Sequence, residues 1–219
     1  MKKLKYIFLL AGALSLASCE SWLDEDPQYT INTKTQFSTV ENARQALMGC
    51  YGYMSADNAY GQAWQEVTFG YCGFGWSQTN GSSTDLLVSM DGGIDETINT
   101  MAWRGMYKVI GETNAFIANI ADSPLESADK LPMEAAARFL RALAYYNLAV
   151  TYGDVPLKTT PSAHDGVAVP RSPKNEVFEL VRTDWEFAYE NLPEKDDDGF
   201  ATKWAAKAYL GKLYHTLGC

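Results

Sequence analysis

The sequence predicts an all-α fold, on three observations. Apolar residues recur at helical spacing in five segments, the third and fifth of these are rich in alanine, and no run alternates apolar and polar residues as a half-buried strand would. Helices with small residues at their crossings, joined by proline-containing turns, suit irregular tetratricopeptide-like repeats of about 34 residues, interrupted here by one long aromatic and glycine-rich loop insertion.

Ser38-Thr39-Val40-Glu41 reads as a capping box opening the first helix, with Ala43, Leu47, Tyr51 and Met54 along one apolar face. From Ser55 to about Asp95 the period is lost among Gly, Ser, Thr and Asn, with Tyr60, Trp64, Phe69, Tyr71, Phe74 and Trp76 interspersed; this is the loop insertion. A second helix is expected over Thr97 to Ala121, stopped by Asp122-Ser123-Pro124, and a third over Pro132 to Tyr152, ended by Gly153 and Pro156. Ser172-Pro173 supplies an N-cap and a first-turn proline for a fourth helix whose core face is Val177, Leu180, Val181, Trp185 and Ala188. Leu192-Pro193 and Asp196-Asp197-Asp198-Gly199 lead into a fifth, from Thr202 to Leu217.

Ahead of these helices Lys2, Lys3 and Lys5 precede an apolar run from Tyr6 to Leu16, too short for the ~20 residues that span a bilayer. It is a secretory leader. Leu16-Ala17-Ser18-Cys19 matches the bacterial lipobox, so residues 1–18 are expected to be removed and Cys19 to carry lipid. Two or three acyl chains on one residue hold a protein firmly, each buried methylene contributing about 0.8 kcal/mol. Residues 19–36, with Asp24, Glu25, Asp26 and Pro27, form a tether, and 37–219 form the helical domain.

The formal charge of −9 includes the leader lysines, so the remainder is more acidic still and nucleic acid is an improbable partner. Of the four cysteines, Cys50, Cys72 and Cys219 remain after lipidation. They show no metal-ligand spacing, and Cys50 with Cys72 is the pair available for a disulfide outside the cytoplasm. His164 and His215 stand apart, and no HExxH, nucleophile elbow or P-loop is present, so neither a metal nor a cofactor is called for and no catalytic residue is assigned. Aligning Gly199 as the sixth residue of a calcium loop puts Ala205 where the bidentate glutamate belongs, so the acidic turn reads as solvated. The other acids read as solvated surface too.

Several segments together resemble the RagB/SusD nutrient-binding outer-membrane lipoproteins. They are Cys19-Glu20-Ser21-Trp22-Leu23-Asp24 with Pro27; Trp103-Arg104-Gly105-Met106-Tyr107 with Ile110 and Asn114; Ala137-Arg138-Phe139-Leu140-Arg141-Ala142-Leu143-Ala144-Tyr145-Tyr146; and Tyr152-Gly153-Asp154-Val155-Pro156-Leu157. Arg171-Ser172-Pro173 with Val177-Phe178, Asp184, Ala188 and Leu192-Pro193 extends the likeness, which covers nearly the whole chain after the leader. It implies a binding protein, not an enzyme: lipid-anchored at the outer membrane, facing the exterior, capturing a glycan or other oligomeric nutrient for a SusC-type TonB-dependent transporter. Family members run to about twice this length, so the chain is expected to be the N-terminal part.

A sugar site needs flat apolar faces for C–H surfaces, with amides and carboxylates to pair hydroxyls. Trp76, Gln78, Asn80 and Asp85 offer that mixture, and Tyr71 and Phe74 extend it. The competing use of these aromatics is to pack the insertion onto the helices. A wholly structural tetratricopeptide-like lipoprotein that holds a protein partner is the alternative reading of the chain, as is a fragment without ligand binding of its own.

Overall fold

The computed structural model describes residues 33–70, 72, 75, 88–90, 97–161, 169–196 and 199–218. Among these it is helical, as the periodicity requires. A single turn, α1 (Thr33–Gln36), precedes α2 (Val40–Ser55). A π-helical turn over Asp57–Gly61 and a short α3 (Ala63–Gly70) follow, then α4 (Thr97–Ala121) and α5 (Ser127–Tyr152). Two-residue strands β1 (Val155–Pro156) and β2 (Arg171–Ser172) pair antiparallel before α6 (Lys174–Asn191) and α7 (Lys203–Leu217).

The helices pack in sequence order, α4 on α5, α5 on α6 and α6 on α7, with α2 against α4 and α5. α5 is the centre of this array and is buried without interruption from Phe139 to Ala149. Its alanines let α4 and α6 approach, while Tyr145, Leu140 and Leu148 fill the space between. Trp185 of α6 is fully buried between the rings of Tyr146 and Tyr209, at 5.5 and 5.2 Å, and its indole N–H donates to the Phe139 carbonyl. Fully buried side chains of this size contribute about 2–3 kcal/mol each.

Four local expectations are corrected. Ser38 does not cap α2; its hydroxyl donates to the Thr35 carbonyl, and Thr39 accepts from the Asn42 amide instead, while Glu41 takes the Gln45 side-chain amide. The insertion starts as helix, because Ala59, Ala63, Trp64 and Val67 bury a helical stripe that the surrounding Gly and Asn obscure. α5 starts at Ser127, ahead of Pro132, its extra turn anchored by Lys130, whose ammonium donates to the carbonyls of Ala121 and Ser123 at the end of α4. Ser172 belongs to β2 rather than to a cap, and the Lys174 amide at the start of α6 is met by Asp154 Oδ1 at 2.9 Å.

The acidic turn after α6 is also not wholly solvated. Asp196 pairs with Arg44 of α2 at 3.1 Å, the Arg44 guanidinium lies over the Phe200 ring, and Tyr51 accepts from the Ala201 amide. These contacts fasten the α6–α7 connection to α2. Cys50 and Cys72 are both free thiols, the first buried in α2 and the second exposed.

Candidate ligand site

Three of the segments singled out in the sequence, those of Trp103 to Asn114, Ala137 to Tyr146 and Tyr152 to Leu157, meet at one place, the strap of residues 155–160 that leaves α5. Gly153 makes the exit with φ +75°, where a side chain would be strained. The Tyr107 hydroxyl then donates to the Pro156 carbonyl at 2.7 Å. Tyr145 binds Lys158 twice, its hydroxyl donating to the carbonyl and accepting from the amide. The Asn114 amide donates to the carbonyls of Lys158 and Thr160. A segment with no period of its own is thereby held by side chains of α4 and α5, which satisfy the carbonyls of Pro156, Lys158 and Thr160 and the Lys158 amide.

Behind the strap lies a buried charge pair. Arg141 meets Asp184 through two 2.8 Å bonds, Nε to Oδ2 and Nη2 to Oδ1, and its Nη1 donates to Asn114 Oδ1 at 2.8 Å. Asp184 is fully buried and Arg141 nearly so. Arg138 stands 3.6 Å from Asp184 with its guanidinium over the Phe187 ring. The expectation that the acids are solvated fails here. The signal was available: Asp184 falls between Val181, Trp185 and Ala188 on the apolar face of α6, and Arg141 interrupts the most apolar stretch of α5.

The insertion meets the helical array at the end of α3 and the start of α4. Trp64, Val67 and Gly70 are buried there, whereas Phe69 is 66% exposed. The chain re-enters the core with Ile98, and Trp103 packs its ring on Tyr107 and edge-on to Tyr152 at 4.9 and 5.1 Å. The π turn presses on α4 at Gly105, where a Cβ would lie 1.9 Å from the Asn58 carbonyl oxygen. Tyr60, in that turn, accepts from the Asn147 amide of α5 at 2.7 Å. Trp76, Gln78, Asn80, Asp85, Tyr71 and Phe74 lie outside the described residues, as do Cys19 and His164. Two ends of their segment are therefore fixed by the helices, with an exposed aromatic ring, Phe69, beside one of them.

Among the described residues no group of three or more His, Cys, Asp or Glu could hold a metal ion, and no helix is long and apolar enough to cross a membrane. Beside the insertion the helices present aromatic rings, Phe69 exposed and Trp103 half-buried, together with Glu66 and the exposed Arg104. The sequence matches the SusD-like family, described as starch-binding and associating with the outer membrane, over residues 21–215. The chain belongs to that family.

Among its SusD-like relatives, protein P25 of Formosa agariphila is 26% identical over 95% of this chain and 42% of its own length. A solved structure with xylogluco-oligosaccharide superposes with a TM-score of 0.70 at 26% identity, covering 78% of this chain and 34% of that one. A laminarin-binding SusD-like protein gives 0.70 at 25% identity, over 83% and 41%. This chain spans about two fifths of the length of the SusD-like relatives it matches. The tetratricopeptide-like helical fold expected from the sequence is the fold of these proteins.

Proposed function

We propose that this SusD-like chain takes part in capturing a glycan at the outer membrane, and that it binds the sugar without cleaving it. The observation that carries this is its likeness, at 25–26% identity, to two solved proteins, one in a structure with xylogluco-oligosaccharide and one described as laminarin-binding. The aromatic insertion is the ligand-facing element, with Trp76, Tyr71 and Phe74 as stacking faces and Gln78, Asn80 and Asp85 as hydroxyl partners. Lipid on Cys19 holds the chain to the membrane on the outer face, and a SusC-type TonB-dependent transporter receives the glycan. The strap and the Arg141–Asp184 pair support this role by fixing α4, whose first turn anchors the end of the insertion.

Calorimetric titration with xyloglucan and laminarin oligosaccharides, chosen for the ligands of those two neighbours, tests the reading. Trp76→Ala is expected to weaken binding by about 1–3 kcal/mol, the range for a central aromatic contact, while far-ultraviolet circular dichroism stays unchanged. An identical isotherm for that variant would assign Trp76 to packing, and release of shortened oligosaccharides from bound substrate would overturn the non-catalytic reading.

A further inference from the structure

Phe69 and Met90 are the two most exposed large apolar side chains among the described residues, each 66% exposed. They belong to one place. The point where a Cβ of Gly75 would stand lies 3.1 Å from the Phe69 carbonyl oxygen and 3.2 Å from a Val88 methyl group, so the end of α3 and the stretch from Val88 to Met90 come against the same glycine. A single apolar side chain in water is ordinary, whereas two of this size gathered at one glycine begin a patch.

Packing does not account for either side chain. α3 buries Ala63, Trp64 and Val67, and Phe69 lies off that stripe. Met90 is the one residue other than glycine with a positive φ among the described residues, at +59°. A side chain is strained there, and the position is usually left to glycine or asparagine. Nothing buried offsets the strain, because most of Met90 stands in solvent. Strain of this kind persists at ligand-binding positions, where it sets the direction of a side chain. A polar group accompanies the ring. Gln65 is exposed one helical turn before Phe69, on the same side of α3. Its amide nitrogen donates to the Tyr60 carbonyl at 2.6 Å, which fixes the orientation of the amide and with it the acceptor Oε1. Tyr60 in turn accepts from Asn147 of α5, so the helical array sets that acceptor.

We infer that Phe69, Met90 and Gln65 form a sugar subsite at the base of the insertion: the Phe69 ring covers the C–H face of one pyranose, Met90 borders it, and Gln65 Oε1 accepts from a sugar hydroxyl. This rests on the reading of the chain as glycan-binding and adds residues which that reading does not use. A pyranose fits because it offers a flat apolar face rimmed by hydroxyls, and the patch offers one flat ring beside a fixed acceptor. The other exposed residues of α3 are Gln65 and Thr68, so a partner helix or a bilayer would meet a single ring among polar groups rather than the apolar stripe that either needs.

Titration with xyloglucan and laminarin oligosaccharides, paired with thermal unfolding of each variant, supplies the test. Phe69→Leu, which keeps an apolar side chain without a flat ring, is expected to weaken binding about tenfold, and Phe69→Tyr to keep it. Met90→Gly is expected to weaken binding severalfold while raising the thermal midpoint, because glycine takes a positive φ freely. A residue needed only for packing would lower that midpoint when replaced. The inference falls if Phe69→Leu or Met90→Gly binds as the parent does, if Phe69→Tyr is as weak as Phe69→Leu, or if Met90→Gly unfolds at a lower temperature. A parent chain that binds neither oligosaccharide would take the glycan reading down as well, whereas parent binding left intact by these variants would remove the subsite alone.

Discussion

Asp184 shows what a single residue decides here. A buried carboxylate is tolerable because Arg141 meets both of its oxygens, and the desolvation cost of the two charges is offset only by that geometry. Asp184→Ala leaves the guanidinium buried without a counter-charge, and urea unfolding is expected to show a loss of about 3–5 kcal/mol. A double replacement, Arg141→Met with Asp184→Leu, is expected to recover most of it; equal instability of the double variant would mean that the pair contributes more than its own neutralisation. Burial acts on neutral acids as well. It pushes Tyr51 and Tyr60 from the ordinary 10 up to about 12, and the Cys50 thiol from 9 to about 12, with Tyr107 raised in the same direction. These groups lose protons more readily unfolded than folded. Their contribution to stability is therefore complete below about pH 9 and is lost as pH climbs towards 12. Thermal midpoints measured from pH 8 to 12 should hold level and then fall, less steeply in Tyr51→Phe; a parallel fall would remove Tyr51 from the account.

Elements differ in how plainly the sequence announces them. α4 is found with both its ends, because its stripe from Ile98 to Ile120 is unbroken and Asp122-Ser123-Pro124 closes it. The π turn and α3 read as loop in the sequence, since their buried residues Ala59, Ala63, Trp64 and Val67 are few and set among Gly and Asn, and their support is tertiary, from Gly105 on α4 and Asn147 on α5. Strap residues 155–160 likewise have no local signal, being ordered by Tyr107, Asn114 and Tyr145 from elsewhere in the chain. Long-range side-chain bonds of this kind leave no period in the sequence of the segment they order. The aromatic and amide residues proposed for the ligand were legible as a composition, but composition carries no geometry. Gly105 supplies the test at this scale. In Gly105→Ala a methyl group 1.9 Å from the Asn58 carbonyl oxygen must displace the π turn, at an expected cost of about 1–3 kcal/mol. Chemical shifts should move at Asp57 to Gly61 and stay put in α6; a variant as stable as the parent would show that the turn yields freely.

For the whole molecule the membrane attachment is the property most directly open to experiment. Cys19→Ser removes the only sulfur at which a lipobox can take lipid, so the variant is expected in the soluble fraction or as an uncleaved precursor; fractionation with the membrane as before would sink the proposed anchor. The central position of α5 carries a consequence of another kind. Most helix packing joins neighbours in sequence, α4 to α5, α5 to α6 and α6 to α7. Such local topology favours fast folding, on the order of microseconds to milliseconds in small helical domains. Because α5 is the strip on which both flanking helices close, α4 is made before the surface it packs on and α6 after it. A ribosome or an export channel releasing the chain from the N-terminus would pass α4 with only its contacts to α2, the π turn and α3 to make, the side that meets α5 still bare, and docking would propagate outward once the α5 alanines arrive.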